Sequence, residues 1–386
     1  MLEVLENKLS ITDKIKFLKE ESGSHSPSIS TLLKEIPELK VEVDACFLSN
    51  PYATELFIKH MENDLIKTGK LRDILEFYPP QVYDVRKYIS KATAIPAENI
   101  FVGNGAIEVI QAIMHRYVKG SIAVILPTFS SYYEFALQDT KVHYFYLKKE
   151  DNFKLDIHEY VKFVKDNKIN NAVLINPNNP NGAYLTTEEM NYLITELKGL
   201  DTLIVDESFI HFAYESVELF QVSNEELIKT YPNLCIVKSM SKDFGIAGIR
   251  AGYGVMSKER INALLSNGYL WNVSGLADYF FKVYSDREFQ NAYEVVRKKY
   301  IMNTLMFLTE INSLHNVKSY PSRANFALIE ITNGKSSFDF TLELLVQSGV
   351  YVRDCSDKIG LDGEFIRVAS RTFEENLKII SALKSL

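Results

Sequence analysis

Residues 239–254, "SMSKDFGIAGIRAGYG", set Lys242 among small residues, with Ser239 and Ser241 before it and Gly245, Gly248 and Arg250 after it. A lone loop lysine is most often a solvated charge. A lysine held in a partly desolvated, already positive site loses proton affinity and becomes a nucleophile that can condense with an aldehyde. In that setting the serines and Arg250 would hold a phosphate. The neighbouring strands decide between the two readings.

Working outward, "LCIVKSM" (234–240), "DTLIVDES" (201–208), "NAVLINP" (171–177) and "SIAVILP" (121–127) are short, nearly continuous apolar runs, the pattern of strands buried on both faces. Amphipathic stretches such as "TTEEMNYLITELKG" (186–199) separate them. Strands alternating with helices imply right-handed crossovers and a mostly parallel sheet, with ligands at the carboxyl ends of the strands. The polar motifs fall at those ends. "LIVDESF" (203–209) closes a buried strand with Asp206 and Glu207, and a carboxylate there needs a cationic or hydrogen-bonding partner unless it only caps a helix. "INPNNPNG" (175–182) is a rigid loop of asparagines and prolines, or a bare turn. "FVGNGAIEVIQAIMHRY" (101–117) reads as strand, glycine turn and helix, which would aim the N–H groups of Gly105, Ala106 and Ile107 at an anion. By itself such a turn is weak evidence.

Beyond a long helical tract at about 276–312, "ANFALIEI", "VYVRDC" and "EFIRVAS" read as strands of a smaller α+β unit closed by the helix "TFEENLKIISALKSL". The 386 residues, 46% hydrophobic and 24% charged, suffice for two lobes. A net charge of -7 without a basic run argues against nucleic acid and membrane surfaces as partners. The N-terminus mixes acidic and basic residues and lacks the apolar stretch of a signal peptide, so the expected location is cytoplasmic. Cys46, Cys235 and Cys355 form no metal-like or disulfide-like spacing and read as small buried hydrophobes; no metal is expected.

The four strand-end motifs, in this order, resemble the fold type I pyridoxal-phosphate enzymes, the aspartate aminotransferase superfamily, over nearly the whole chain. The resemblance implies an α/β fold with a large domain built on a mostly parallel seven-stranded sheet, plus a smaller α+β domain. It divides the chain into an N-terminal segment (1–45) joining the small domain, a large domain (46–290) and a C-terminal small domain (291–386). It implies pyridoxal 5'-phosphate as cofactor, Lys242 as its covalent anchor and Asp206 as partner of the ring nitrogen. Asn179 would bond the ring hydroxyl, Phe129 would stack on the ring, and Gly105, Ala106, Ile107, Ser239, Ser241 and Arg250 would surround the phosphate. Tyr78, in "EFYPPQ", matches a tyrosine that reaches the phosphate from a second subunit, implying a homodimer with shared sites. One departure is Phe209, where aminotransferases carry a tyrosine; losing that hydroxyl costs one hydrogen bond to the cofactor, about 1 kcal/mol. A PLP-free regulator is the rival from another class, and the intact Asp206, Asn179, Lys242 and Arg250 set argues against it.

Within the superfamily, "YPSRANFALIEI", "VYVRDCSDKIGLDGEFIRVASRTFEEN", "YLWNVSGLA" and "DESFIHF" are most similar to threonine-phosphate decarboxylases and next to histidinol-phosphate aminotransferases. Both act on phosphorylated substrates. The resemblance therefore implies a small phosphorylated substrate held by Arg353, Arg367 and Arg371, with His25 in "ESGSHSPSISTLLKEIP" as a further phosphate ligand and Asn50 and Asn325 lining the pocket. Any one of these arginines could instead be a surface ion pair. The favoured reaction is decarboxylation of O-phospho-L-serine or O-phospho-L-threonine to the phosphorylated amino alcohol. The alternative is an aminotransferase of the histidinol-phosphate type.

Overall fold

The computed structural model describes residues 10–23, 25–214, 225–266, 268–269 and 271–386. The first nine residues of the expected N-terminal segment lie outside the described residues. In chain order the strands are β1 (Val43–Asp44), β2 (Ile100–Asn104), β3 (Ser121–Leu126), β4 (Lys141–Tyr146), β5 (Asn171–Ile175), β6 (Thr202–Asp206), β7 (Leu234–Ser239), β8 (Ala251–Val255), β9 (Val317–Ser319), β10 (Phe326–Ile331), β11 (Val350–Tyr351), β12 (Arg353–Asp354) and β13 (Phe365–Ala369).

Seven of them form one sheet in the order β2-β8-β7-β6-β5-β3-β4. All neighbours are parallel except β8, which runs antiparallel to both β2 and β7. Every residue of β5, β6, β7 and β8 is buried, which explains why their sequences carry no polar alternation. Because β8 alone is reversed, β2, β3, β5, β6 and β7 all end at the same edge. Asn104, Asp206 and Ser239 close three of them there.

The smaller sheet, β12-β13-β10-β9, is antiparallel throughout its recorded pairs. The helix Phe373–Ser385 packs on it behind a capping box of Thr372 and Glu375, its Ile379, Ile380 and Leu383 entering the same core as Ile329, Val350 and Ile366. The expected tract at 276–312 resolves into two helices, Gly275–Tyr284 and Arg287–Asn312. Asp286 caps the second through its carboxylate, which accepts from the Glu288 and Phe289 N–H groups. The N-terminal helices Ile11–Glu21 and Ile29–Glu35 bury Ile15, Leu18 and Leu32 against Leu345 and Tyr351. All three cysteines are free and buried.

Candidate active site

The carboxyl ends of the strands open into a cavity of about 260 Å³. Ala106, Ile107, Phe129, Asn179, Asp206, Ser239, Ser241, Lys242 and Arg250 line it, together with His25, Arg353, Arg367 and Lys358. The site is thus assembled from the big sheet, the N-terminal segment and the small sheet.

Asp206 is 4% exposed, and burial pushes its carboxyl up, opposed by hydrogen bonds from Ser208 and Tyr132. Its Oδ1 accepts from the Ser208 N–H at 2.8 Å and its Oδ2 from the Tyr132 hydroxyl at 2.8 Å. Tyr132 was not singled out in the sequence, although it follows Phe129 by one helical turn in "PTFSSYY". Lys242 lies in the turn after β7, its carbonyl accepting from the Asn50 N–H at 2.9 Å. Burial first, then the guanidinium groups of Arg367 and Arg250, lower its ammonium to about 8, with Asp243 and Asp206 opposing. At neutral pH a real fraction is then the free amine, the form that attacks a carbonyl.

The loop 175–182 divides its labour. Asn178 donates to the Pro127 carbonyl at 2.9 Å and to Asn181, whose own amide donates to the Phe153 carbonyl at 3.0 Å. These bonds lock the loop, and Asn179 is left facing the cavity. Arg367 donates to its Oδ1 at 2.6 Å, and because a guanidinium only donates, the Asn179 amide nitrogen is presented as a donor. Phe209 is 4% exposed and packs edge-on against Phe326 at 5.4 Å, so no hydroxyl is available there.

Close backbone approach builds the anion cradle. Gly105 has φ +79°, and a Cβ on it would lie 2.4 Å from an Arg250 guanidinium nitrogen; one on Gly252 would lie 2.4 Å from the Ala106 nitrogen. The Gly105 N–H, expected to face an anion, instead donates to the Gly103 carbonyl at 2.8 Å. Ala106 and Ile107, at the start of helix Ala106–Tyr117, remain on the cavity wall beside Ser239, Ser241 and Arg250.

On the small sheet Arg353 and Arg367 sit directly opposite one another in the antiparallel β12–β13 pair. Like charges at that spacing repel, so the arrangement calls for anions. Asp357 supplies one, bidentate to Arg353 at 2.6 and 2.8 Å. Three expected substrate contacts lie elsewhere. Arg371 leaves the end of β13 and donates to the Ser49 hydroxyl at 3.0 Å, with Glu375 at 3.7 Å. Asn50 caps helix Pro51–Met61 with its Oδ1, and Asn325 donates to the Tyr300 hydroxyl at 3.2 Å. All three are held by the scaffold beside the cavity rather than on its wall. Tyr78 is 86% exposed, tilts over Trp271 at 5.9 Å and does not line its own chain's cavity.

The profile of class I and II aminotransferases matches residues 50–383. The chain belongs to that family. An L-serine phosphate decarboxylase of Campylobacter jejuni is 51% identical over 374 residues, covering 97% of this chain and 96% of that protein. A histidinol-phosphate aminotransferase of Methanococcus aeolicus is 32% identical, covering 87% of this chain and 88% of that one. The solved structure of a decarboxylase from Sulfurospirillum multivorans superposes with a TM-score of 0.93 at 42% identity, over 100% of this chain and 98% of that one. Members of the class I and II aminotransferase family depend on pyridoxal 5'-phosphate, and the donor set fits it. A buried carboxylate, a lysine of lowered proton affinity and a cradle too tight for a Cβ are what a cationic ring nitrogen, an aldehyde and a phosphate require.

The Lys242 geometry carries a pH prediction. Its folded-state proton affinity is depressed, so the amine becomes free as pH rises through about 8 instead of through the ordinary lysine range. Covalent capture of pyridoxal 5'-phosphate by the apoenzyme is expected to accelerate as pH rises to about 8 and to level off above it. Stopped-flow absorbance checks this; a rate still climbing steeply near the ordinary lysine value would contradict it.

Proposed function

We propose that this protein decarboxylates O-phospho-L-serine to the phosphorylated amino alcohol and carbon dioxide, with pyridoxal 5'-phosphate as cofactor. The observation that carries the reading is the cavity itself, in which the cofactor residues share one space with a cationic wall of Arg353, Arg367, Lys358 and His25. The near-full-length likeness to a protein named L-serine phosphate decarboxylase supports the choice of substrate. Lys242 would carry the cofactor, Asp206 would hold a proton on the ring nitrogen through Oδ1 or Oδ2, and Asn179 would donate to the ring hydroxyl. Ala106, Ile107, Ser239, Ser241 and Arg250 would hold its phosphate. When bound, the cofactor supplies an electron sink for the bond at Cα that stands perpendicular to its ring.

The chain's own residues choose that bond. Arginines that clamp a carboxylate in the ring plane leave the Cα–H bond to break, whereas a clamp on a side-chain phosphate lets the carboxylate turn out of the plane and leave as carbon dioxide. Lys242, in its ammonium form, would then return a proton to Cα and be left as the free amine, a transfer that its lowered proton affinity favours. Water is kept from the reacting atoms by Phe129, Phe209, Ile175 and Leu48 on the wall.

Two further readings accompany the reaction. Residues 1–45 and 291–386 form one lobe and 46–290 the other, supported by the packing of Ile15, Leu18 and Leu32 on Leu345 and Tyr351. The protein works as a cytoplasmic homodimer in which Tyr78 serves the partner's cofactor phosphate, supported by the exposure of Phe77, Tyr78, Tyr83 and Trp271 on one chain. Among the described residues no helix is long and apolar enough to cross a membrane.

The test is carbon dioxide release from O-phosphoserine by the holoenzyme with no keto acid added. Sustained release with the cofactor staying in its aldehyde form is expected. Stoichiometric accumulation of the pyridoxamine form without carbon dioxide would replace the decarboxylase by the aminotransferase alternative.

A further inference from the structure

The cavity wall contains a cation that the sequence reading passed over. Lys358 lies in "CSDKIGLDG", where the Asp-Lys pair imitates an ordinary solvated turn. The loop is not loose. The Lys358 N–H donates to the Cys355 carbonyl at 2.9 Å, and Gly360, at φ +89°, sits so close to the other lobe that a Cβ would meet Leu126 and the Pro127 nitrogen at 3.0 Å. That contact draws the small-sheet loop over the cavity and puts Lys358 on its wall with His25, Ser26 and Arg353.

The charges around the cavity give this cation a place. Arg353, Arg367 and Lys358 are opposed by Asp357, which grips Arg353 and also pairs with Lys19 at 3.4 Å. Lys242 and Arg250 belong to the cofactor. A phosphomonoester brings about -1.5 to -2 at neutral pH and the substrate carboxylate one more negative charge. Asp357 is shared between Arg353 and Lys19, so it offsets the Arg353 charge in part, and Lys358 adds a full cation on the wall where the phosphate and carboxylate must both be met.

Resting on the substrate reading above, we propose that Lys358 is the residue that recognises the substrate's phosphate, in a subsite completed by Arg353 and the His25–Ser26 turn. Lys19 supports the subsite from outside: it donates to the His25 carbonyl at 3.4 Å as well as to Asp357, tying the N-terminal turn to the arginine's counter-ion. Burial lowers the proton affinity of Lys358, and Arg353 and Arg367 lower it further against the pull of Asp357. Burial likewise lowers that of His25, which feels Glu134, Lys358, Arg353 and Asp357. A phosphate dianion among these groups would restore their charged forms, so substrate binding and cation charging reinforce each other.

The experiment is steady-state decarboxylation by holoenzyme variants K358M and K358R, with O-phosphoserine and with unphosphorylated serine. K358M is expected to raise KM for O-phosphoserine roughly thirty- to a hundred-fold, the worth of one charge-assisted bond at a desolvated site. K358R should recover most of that loss, and the preference for phosphorylated over plain serine should fall in K358M by the same factor. The visible absorbance of the bound cofactor, read on each variant, separates a lost phosphate contact from a lost fold. A K358M enzyme with intact cofactor absorbance and wild-type KM overturns the inference while leaving the reaction standing. Absence of carbon dioxide release from the wild type itself overturns the reaction and, with it, this subsite.

Discussion

Lys242→Ala is expected to lose about 10⁴-fold in decarboxylation rate or more, because on the proposed reading one side chain serves both as cofactor anchor and as proton donor to Cα. The substitution should also remove the visible absorbance of the covalently held cofactor, although phosphate, Asp206 and Asn179 contacts would still retain pyridoxal 5'-phosphate without a covalent link. Lys242→Arg keeps the positive charge but stays protonated at any accessible pH, so it should be as inactive as the alanine variant. Exogenous small amines should restore part of the rate to Lys242→Ala and none to an enzyme that is merely unfolded. If the visible band persisted in Lys242→Ala without added amine, the anchor would have to be sought elsewhere on the cavity wall.

That Lys242 and Asp206 could be read from sequence has a structural cause. Asp206 ends and Lys242 shortly follows strands that are buried along their whole length, and a charge in that position is costly enough that few purposes explain it. The same reasoning located β5, β6 and β7, whose buried faces leave no alternation to misread. It failed on groups whose role depends on where a long side chain turns. Arg371 shares its neighbourhood in sequence with Arg367, yet one residue pair past the strand end its guanidinium swings to Ser49 and Glu375. Lys358 failed in the opposite sense, since its approach to the cavity is fixed by Gly360 meeting Leu126, a contact between residues far apart in the chain. Gly105 shows a third case: the turn was recognised, but the destination of its N–H depended on the turn's tightness, which brings Gly103 within reach.

Asp243→Ala is expected to destabilise the protein by about 3 to 5 kcal/mol, more than any surface change, because it would strand a buried ammonium. Lys238 is 1% exposed and Asp243 0%. The lysine bonds the Asp243 carboxylate and donates to the Glu207 carbonyl at 3.1 Å. The same carboxylate oxygen lies 3.1 Å from the His211 Nδ1, which is also 2.9 Å from the Tyr293 hydroxyl. Burial and the nearby Lys238 and Arg297 depress the imidazole's proton affinity, so His211 is neutral and offers Lys238 no charge in place of the lost anion. Replacing both ends of the pair, as in K238M/D243L, removes the stranded charge and should recover at least half of the lost stability. Thermal midpoints must be compared at one protein and cofactor concentration, since cofactor and subunit binding both shift them. The network also bears on the chemistry, because Asp243 adjoins Lys242 and raises its proton affinity against burial, Arg367 and Arg250. Asp243→Asn keeps the shape without the charge, so cofactor capture by its apoenzyme should reach its plateau at a lower pH than in the wild type. Wild-type midpoints in Asp243→Ala, or an unmoved capture profile in Asp243→Asn, would show that the buried pair neither holds the Lys242 turn nor tunes its amine.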